Sequence, residues 1–113
     1  MVEQIEEYLD LLSKRIVECI SLSMSKDKVV YAENLLGRQM SELKAQISIS
    51  DSDEIVKKKF SNFVNKVLSI LEASDLNDKQ YKAIRKLILG EIYGAQNLIL
   101  GLISKKDISD IDK

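Results

Sequence analysis

The residues of this chain that could take part in chemistry are few, and the first group lies near the N-terminus. Four carboxylates stand at helical spacings of three and four: Glu3, Glu6, Glu7 and Asp10. Paired carboxylates on a helix can bind a metal ion, but carboxylate sites in helical bundles normally add histidine and draw on several helices. The chain has no histidine. The spacing therefore favours a solvated acidic face at a helix N-terminus, where the helix dipole stabilises negative charge.

Two further side chains, Cys19 and Glu91, have reactive groups in less polar surroundings. Cys19 is the only cysteine, so an internal disulfide is excluded, and its place beside an apolar stripe predicts a small buried hydrophobe. Glu91 is predicted at the edge of a helix with its carboxylate in water. We find no phosphate-cradling glycine loop, no histidine-based triad and no CxxC motif. The sequence thus predicts no catalytic residue, no metal site and no cofactor, and a protein that is not an enzyme.

Lysines provide the candidate contacts to nucleic acid. Lys79, Lys82 and Lys86 share one helix face, whereas the consecutive lysines from Lys57 to Lys59 fan out around a helix. The net charge of −1 gives no overall attraction to nucleic acid or to an anionic membrane. We interpret these lysines as a solvated surface and keep a nucleic-acid-binding adaptor as an alternative.

The elements that position these groups are four amphipathic helices. The chain has no proline, and no segment shows a sustained period-two alternation. Short loops favour antiparallel neighbours, so the pattern predicts an all-α antiparallel four-helix bundle in a single domain of residues 1–104. Residues 105–113 are predicted to be a frayed polar tail. The predicted apolar stripes run from Val2 to Ile20, Val29 to Ile47, Val56 to Leu71 and Tyr81 to Ile103.

Capping residues support the predicted helix starts. Asn77 and Gln80 have the spacing of a capping box, and Leu76 and Tyr81 that of a hydrophobic staple. The segment from Ser50 to Glu54 offers N-caps together with carboxylates for the first turn of a third helix. Ser25 or Asp27 is expected to cap the second helix.

The last helix is long, apolar and glycine-containing, and it differs from the others in how many directions it can make contact. Between Leu87 and Ile103 it carries one charge and three of the four glycines. Each glycine inside a helix costs about 0.5–1 kcal/mol relative to alanine, so close approach of another backbone is the natural compensation. We predict a homodimer or higher homo-oligomer, with a possible further protein partner. The predicted interface residues lie on a glycine flank and an outer apolar stripe: Leu89, Gly90, Tyr93, Gly94, Asn97, Leu100 and Gly101.

Two alternatives remain open for this helix. Its outer residues can pack against the other three helices within a monomer. As a helix, Leu87–Ile103 would span about 26 Å, close to the thickness of a bilayer core. Glu91, Gln96 and Asn97 point in three directions and could not all avoid lipid, so we disfavour a membrane span. The single cysteine and the acidic N-terminal segment favour a cytoplasmic protein.

The segment from Leu76 to Leu87, LNDKQYKAIRKL, resembles the opening of the last helix in class II bacteriocin immunity proteins. Size and helix order are also similar to those small cytosolic four-helix bundles. The resemblance implies a protein that shields a membrane transporter from a peptide toxin. The chain departs from the family where a short polar or aromatic C-terminal segment is expected, because the glycine-spaced apolar run stands there instead. No functional residue is carried over.

Overall fold

Four helices joined by short turns make up the chain. The computed structural model describes the backbone of residues 2–111 and the side chains of residues 2–104; Met1, Asp112 and Lys113 lie outside the described part. The helices are α1 (Val2–Ser21), α2 (Lys26–Gln46), α3 (Asp53–Glu72) and α4 (Asp78–Ile111), and no strand occurs between residues 2 and 111. The predicted all-α four-helix class is confirmed.

The helix starts follow the caps in the sequence. Asn77 and Gln80 form a reciprocal capping box. The backbone N–H of Gln80 donates to Asn77 Oδ1 at 2.8 Å, and the backbone N–H of Asn77 donates to Gln80 Oε1 at 3.3 Å. Ser52 caps α3 by accepting from the Ile55 amide at 3.3 Å. Ser25 occupies the N-cap position of α2, but its side chain makes no capping hydrogen bond. Its carbonyl accepts the first bond of the helix from Val29.

The helices are arranged as a square. α1 contacts α2 and α4, and α3 contacts α2 and α4, whereas the diagonal pairs have no close contact within the described residues. Because each turn reverses the chain, every neighbouring pair is antiparallel, including α1 and α4, which are far apart in sequence. α1 and α4 therefore close the square against each other.

The core consists of the predicted stripes with a few changes at their edges. Ile5 to Ile20 of α1, and Ile84, Ile88, Ile92, Ile99 and Ile103 of α4, are buried at their helical spacing. Val2 is exposed, because it stands at the open end of α1. Val64, Ala95 and Gln96 are buried although they lie beside the predicted stripes. A buried stripe is thus wider than the narrow line that a sequence projection suggests.

α4 is the longest helix and continues to Ile111, so the segment from Lys105, predicted to be a frayed tail, is helical in its described part. The molecule measures 54 × 22 × 18 Å. By length and composition alone, Asp78–Ser104 is apolar enough to cross a membrane. Its isoleucine stripe is nevertheless the side of α4 that fills the bundle core. Packing in the bundle core therefore also accounts for the apolar composition of this stripe.

Candidate interaction surface

An open apolar groove lies between α1 and α4. Its volume is about 200 Å³. Leu11 and Leu98 are exposed on its sides, and Gly94 and Ala95 leave its floor low because they have little or no side chain. The lining residues are Tyr8, Leu11, Leu12, Arg15, Glu91, Gly94, Ala95 and Leu98. We call this groove, together with the exposed Leu22 and Leu87 beyond its end, the α1–α4 face.

An ion pair joins the two helices at one end of the groove. Arg15 Nη1 lies 3.4 Å from Glu91 Oε2, and the two side chains are 52% and 33% exposed. This long single contact uses one of the five guanidinium donors. Glu91 thus occupies the edge position that the sequence predicts, with a cationic partner that the sequence did not identify.

The pair also shows the register of α1 against α4. Leu11 stands four residues before Arg15, and Leu98 seven residues after Glu91. Because the helices are antiparallel, both leucines are displaced from the pair in the same direction along the helix axes, by about 6 and 10 Å. Leu87, four residues before Glu91, is displaced by about 6 Å in the opposite direction and is exposed. Leu22, in the turn after α1, is exposed at that same end.

The glycine flank of α4 borders this face and is open. A Cβ atom added at Gly90, Gly94 or Gly101 would meet no atom within 4 Å. No contact within the described chain therefore requires glycine at these positions. The helical period places Gly94 and Gly101 on the same side of α4 as Leu87 and Leu98. The predicted glycine flank is thus exposed within the described part of the chain.

The predicted outer stripe requires a correction. Leu89 and Leu100 were expected opposite the core, but both are half-buried and pack against it. The reason is that the buried arc of α4 is wide and includes Gln96, which lies beside Leu89 and within about 40° of Leu100 around the helix. Tyr93 and Asn97 are exposed as expected. The exposed leucines of α4 are Leu87 and Leu98, on the flank towards α1.

The lysines divide into two groups. Lys79, Lys82 and Lys86 are exposed on the first turns of α4. Lys59 is drawn into the α2–α3 corner, where it binds Asp51 at 2.8 Å and also the Gln46 carbonyl. Lys66 pairs with Glu42 of α2 at 2.9 Å. Lys59, one of the three consecutive lysines, and Lys66 therefore have intramolecular partners.

The acidic residues of α1 are spread over its solvent side. Glu3, Glu6, Glu7 and Asp10 are exposed, and Asp10 pairs with Lys44 of α2. Among the described residues, no three His, Cys, Asp or Glu side chains are grouped so that they could hold a metal ion. The arrangement matches the solvated acidic face that the spacing favours.

Cys19 lies half-buried near the Arg15–Glu91 pair. Burial raises the pKa of its thiol, and the negative charges of Glu91 and Glu18 raise it further. A raised pKa keeps the thiol protonated near neutral pH, which makes it a poor nucleophile. Cys19 packs against the core as a small apolar residue.

Sequence reasoning overlooked the contribution of α1 to this surface. Leu11 stands off the apolar stripe of its helix, and that position was the available signal. Leu98 was hidden inside a uniformly apolar run, where periodicity does not show which leucine is covered. Comparison of the chain with known protein families, with curated sequences and with solved structures finds no match.

Proposed function

We propose that this protein is a non-enzymatic, self-associating helical module that acts in the cytoplasm and assembles through the flank of α4 facing α1. The observation that carries the proposal is the combination of exposed leucines and open glycines on one face. Leu11 and Leu98 flank a groove with Gly94 on its floor, and Leu87 is exposed beyond the end of the groove. Removing these apolar groups from water favours a covered state.

The glycines add a second argument from stability. Glycine inside a helix costs about 0.5–1 kcal/mol relative to alanine, and three such residues are a sizeable loss for a small domain. Within the described chain, no neighbouring atom uses the space that side chains at these positions would fill. A helix from another subunit could approach α4 closely along this flank and gain contact area. Self-association therefore gives the glycines a use that the single chain does not.

Gly94→Leu tests the proposal, with Gly37→Leu as the matched control. Both glycines lie inside helices, are exposed and have free space around the missing Cβ. Both variants should therefore fold at least as stably as the parent protein. We expect the parent protein and Gly37→Leu to sediment as oligomers at about 50 µM, where an interface of micromolar Kd is largely assembled. Gly94→Leu should sediment as a monomer.

A monomeric parent protein at that concentration would contradict the proposal. So would a Gly94→Leu variant whose mass equals that of the parent protein. The two alternatives from the sequence make separate predictions. A nucleic-acid adaptor should bind a probe in a salt-dependent manner that is lost with Lys82 and Lys86. An immunity-type protein should protect a toxin-sensitive cell that expresses it.

A further inference from the structure

We propose that a second copy of this chain covers the α1–α4 face, related by a twofold axis parallel to the helices, and that Arg15 of each copy binds Glu91 of the other. This inference rests on the self-association proposed above and specifies its geometry. It concerns which surfaces meet, in which direction, and which charges pair across the interface.

The dimensions of the molecule limit which surface a stable dimer can use. A standard protein interface buries about 800 Å² on each partner. The ends of the bundle measure 22 × 18 Å, which corresponds to about 400 Å² in projection, whereas a long side built on helices of about 30 Å reaches about 600 Å². A dimer that joins two long sides therefore comes nearer to the standard interface size than one that joins two ends. The α1–α4 face is such a side.

The apolar groups select this long side from the others. Leu11 and Leu98 lie to one side of the Arg15–Glu91 pair along the helices, and Leu22 and Leu87 lie to the other. Each side therefore has one leucine from α4 and one from α1 or the turn that follows it. On the α2–α3 side, the exposed Tyr31 and Ile55 belong to opposite ends of the bundle and do not adjoin. The α1–α4 face thus presents two apolar patches separated by one ion pair.

The charges select the direction of the axis. A twofold axis across the helices at the height of this pair would place α1 on α1 of the second copy and set Arg15 against Arg15 and Glu91 against Glu91. A twofold axis along the helices places α1 on α4 of the second copy. Arg15 then meets Glu91 and Glu91 meets Arg15, so both contacts are attractive. Because the intramolecular contact is long and half-exposed, Arg15 has free donors for this second bond.

The same axis matches the apolar patches. This axis leaves the height of each residue along the helices unchanged. Leu11 of one copy therefore lies opposite the region of Leu98 in the other, and Leu22 lies opposite the region of Leu87. The four helices at the interface then alternate in direction: α1, α4, α1 and α4 around a square. This is the arrangement that each chain already uses in its own bundle. Gly94, at the floor of the groove, lets the facing α1 come close.

Charge reversal in two separate chains tests this geometry. Arg15→Glu leaves two negative side chains at the site, and Glu91→Arg leaves two positive ones. Each variant alone places like charges across the interface at both pairs, so each should dimerise at least tenfold more weakly than the parent protein. In an equimolar mixture, the two variants should form a heterodimer. Every contact between copies is then attractive, although both pairs within a copy remain repulsive.

The Glu42–Lys66 pair of α2 and α3 provides the control. Its exposure, 52% and 48%, resembles that of Arg15, and it joins two helices at 2.9 Å. Glu42→Lys and Lys66→Glu should each leave the dimer mass unchanged. Circular dichroism of every variant before sedimentation confirms that a loss of dimer is not a loss of fold.

The outcomes separate this inference from the proposal on which it rests. A monomeric parent protein overturns both. A dimeric parent protein with dimeric charge variants overturns only the geometry. Monomeric variants whose mixture also remains monomeric show that the pair acts inside one subunit, and this too overturns the geometry. Monomeric variants that assemble when mixed show that Arg15 and Glu91 of the two copies meet across the interface, as this geometry requires.

Discussion

The outer surfaces of the α2–α3 pair and the α1–α4 pair differ, although both pairs send apolar stripes into the same core. The α2–α3 corner is closed by polar contacts: Asp51 binds Lys59, accepts from the Ser48 amide at 3.0 Å, and is 12% exposed. The α1–α4 face has one long ion pair and leaves leucines in water. Polar groups that satisfy one another complete a surface, whereas adjoining apolar groups left on a surface mark a candidate contact site.

The sharpest test of this difference compares two residues of α4. Ile92 is fully buried, whereas Leu98 is 53% exposed on the α1–α4 face. Ile92→Ala should lower the free energy of unfolding by about 2–5 kcal/mol, because it leaves a cavity. Leu98→Ala should lower that of the monomer by less than about 0.5 kcal/mol. Urea unfolding at low protein concentration measures both, since dilution removes any contribution of assembly. Similar losses would mean that Leu98 belongs to the core.

The closed corner should be the next most sensitive to substitution. Lys59→Met removes the cation that holds both Asp51 and the Gln46 carbonyl. We expect a loss of about 1–3 kcal/mol, because a shielded carboxylate is left without its strongest partner. Lys66→Met is the matched control on the same helix. Its pair with Glu42 is half-exposed, so it should change stability by less than about 0.5 kcal/mol. Equal effects of the two substitutions in urea would refute the distinction between a closed corner and an ordinary surface pair.

The same corner should respond to pH. Burial raises the pKa of Asp51, but hydrogen bonds from Lys59 and the Ser48 amide, together with the charge of Lys59, outweigh this and lower the pKa below its usual range. The ionised carboxylate therefore stabilises the folded state fully above the unfolded pKa of about 3.9. This contribution is lost as the pH falls through the lower folded pKa. Compared with Asp51→Asn, the parent protein should be more stable at pH 6, and its advantage should shrink below pH 4. A constant difference between pH 6 and pH 2 would contradict this assignment.

Much of the fold could be predicted because its signals are local. The box at Asn77 and Gln80, the cap at Ser52 and the isoleucines of α4 all act within one or two turns of their own helix. These patterns depend on backbone geometry and period alone. They therefore appear in the sequence without any knowledge of which helices become neighbours.

The candidate surface could be predicted only in part because it depends on which helices meet. The open glycine flank was visible in the sequence, but its neighbours Leu11 and Arg15 lie about eighty residues earlier in the chain. Their place beside Glu91 follows from the antiparallel contact of α1 with α4. Leu89 and Leu100 were misplaced for a related reason: the width of a buried arc depends on how closely the neighbouring helix packs.

The smallest expected effect concerns the turn that leads from α3 into α4 and so links the two sides. Asp75 has a φ of 55°, the left-handed conformation that glycine adopts without steric cost. Asp75→Gly should therefore raise the free energy of unfolding by up to about 1 kcal/mol. The contact of Asp75 with Lys28 is long and solvent-exposed, so its loss should cost little. Asp75→Ala removes the same carboxylate but keeps the Cβ, so it should be less stable than Asp75→Gly. Thermal unfolding of the three proteins measures the order. If Asp75→Ala matched or exceeded Asp75→Gly, the carboxylate rather than the backbone would determine the stability of this turn.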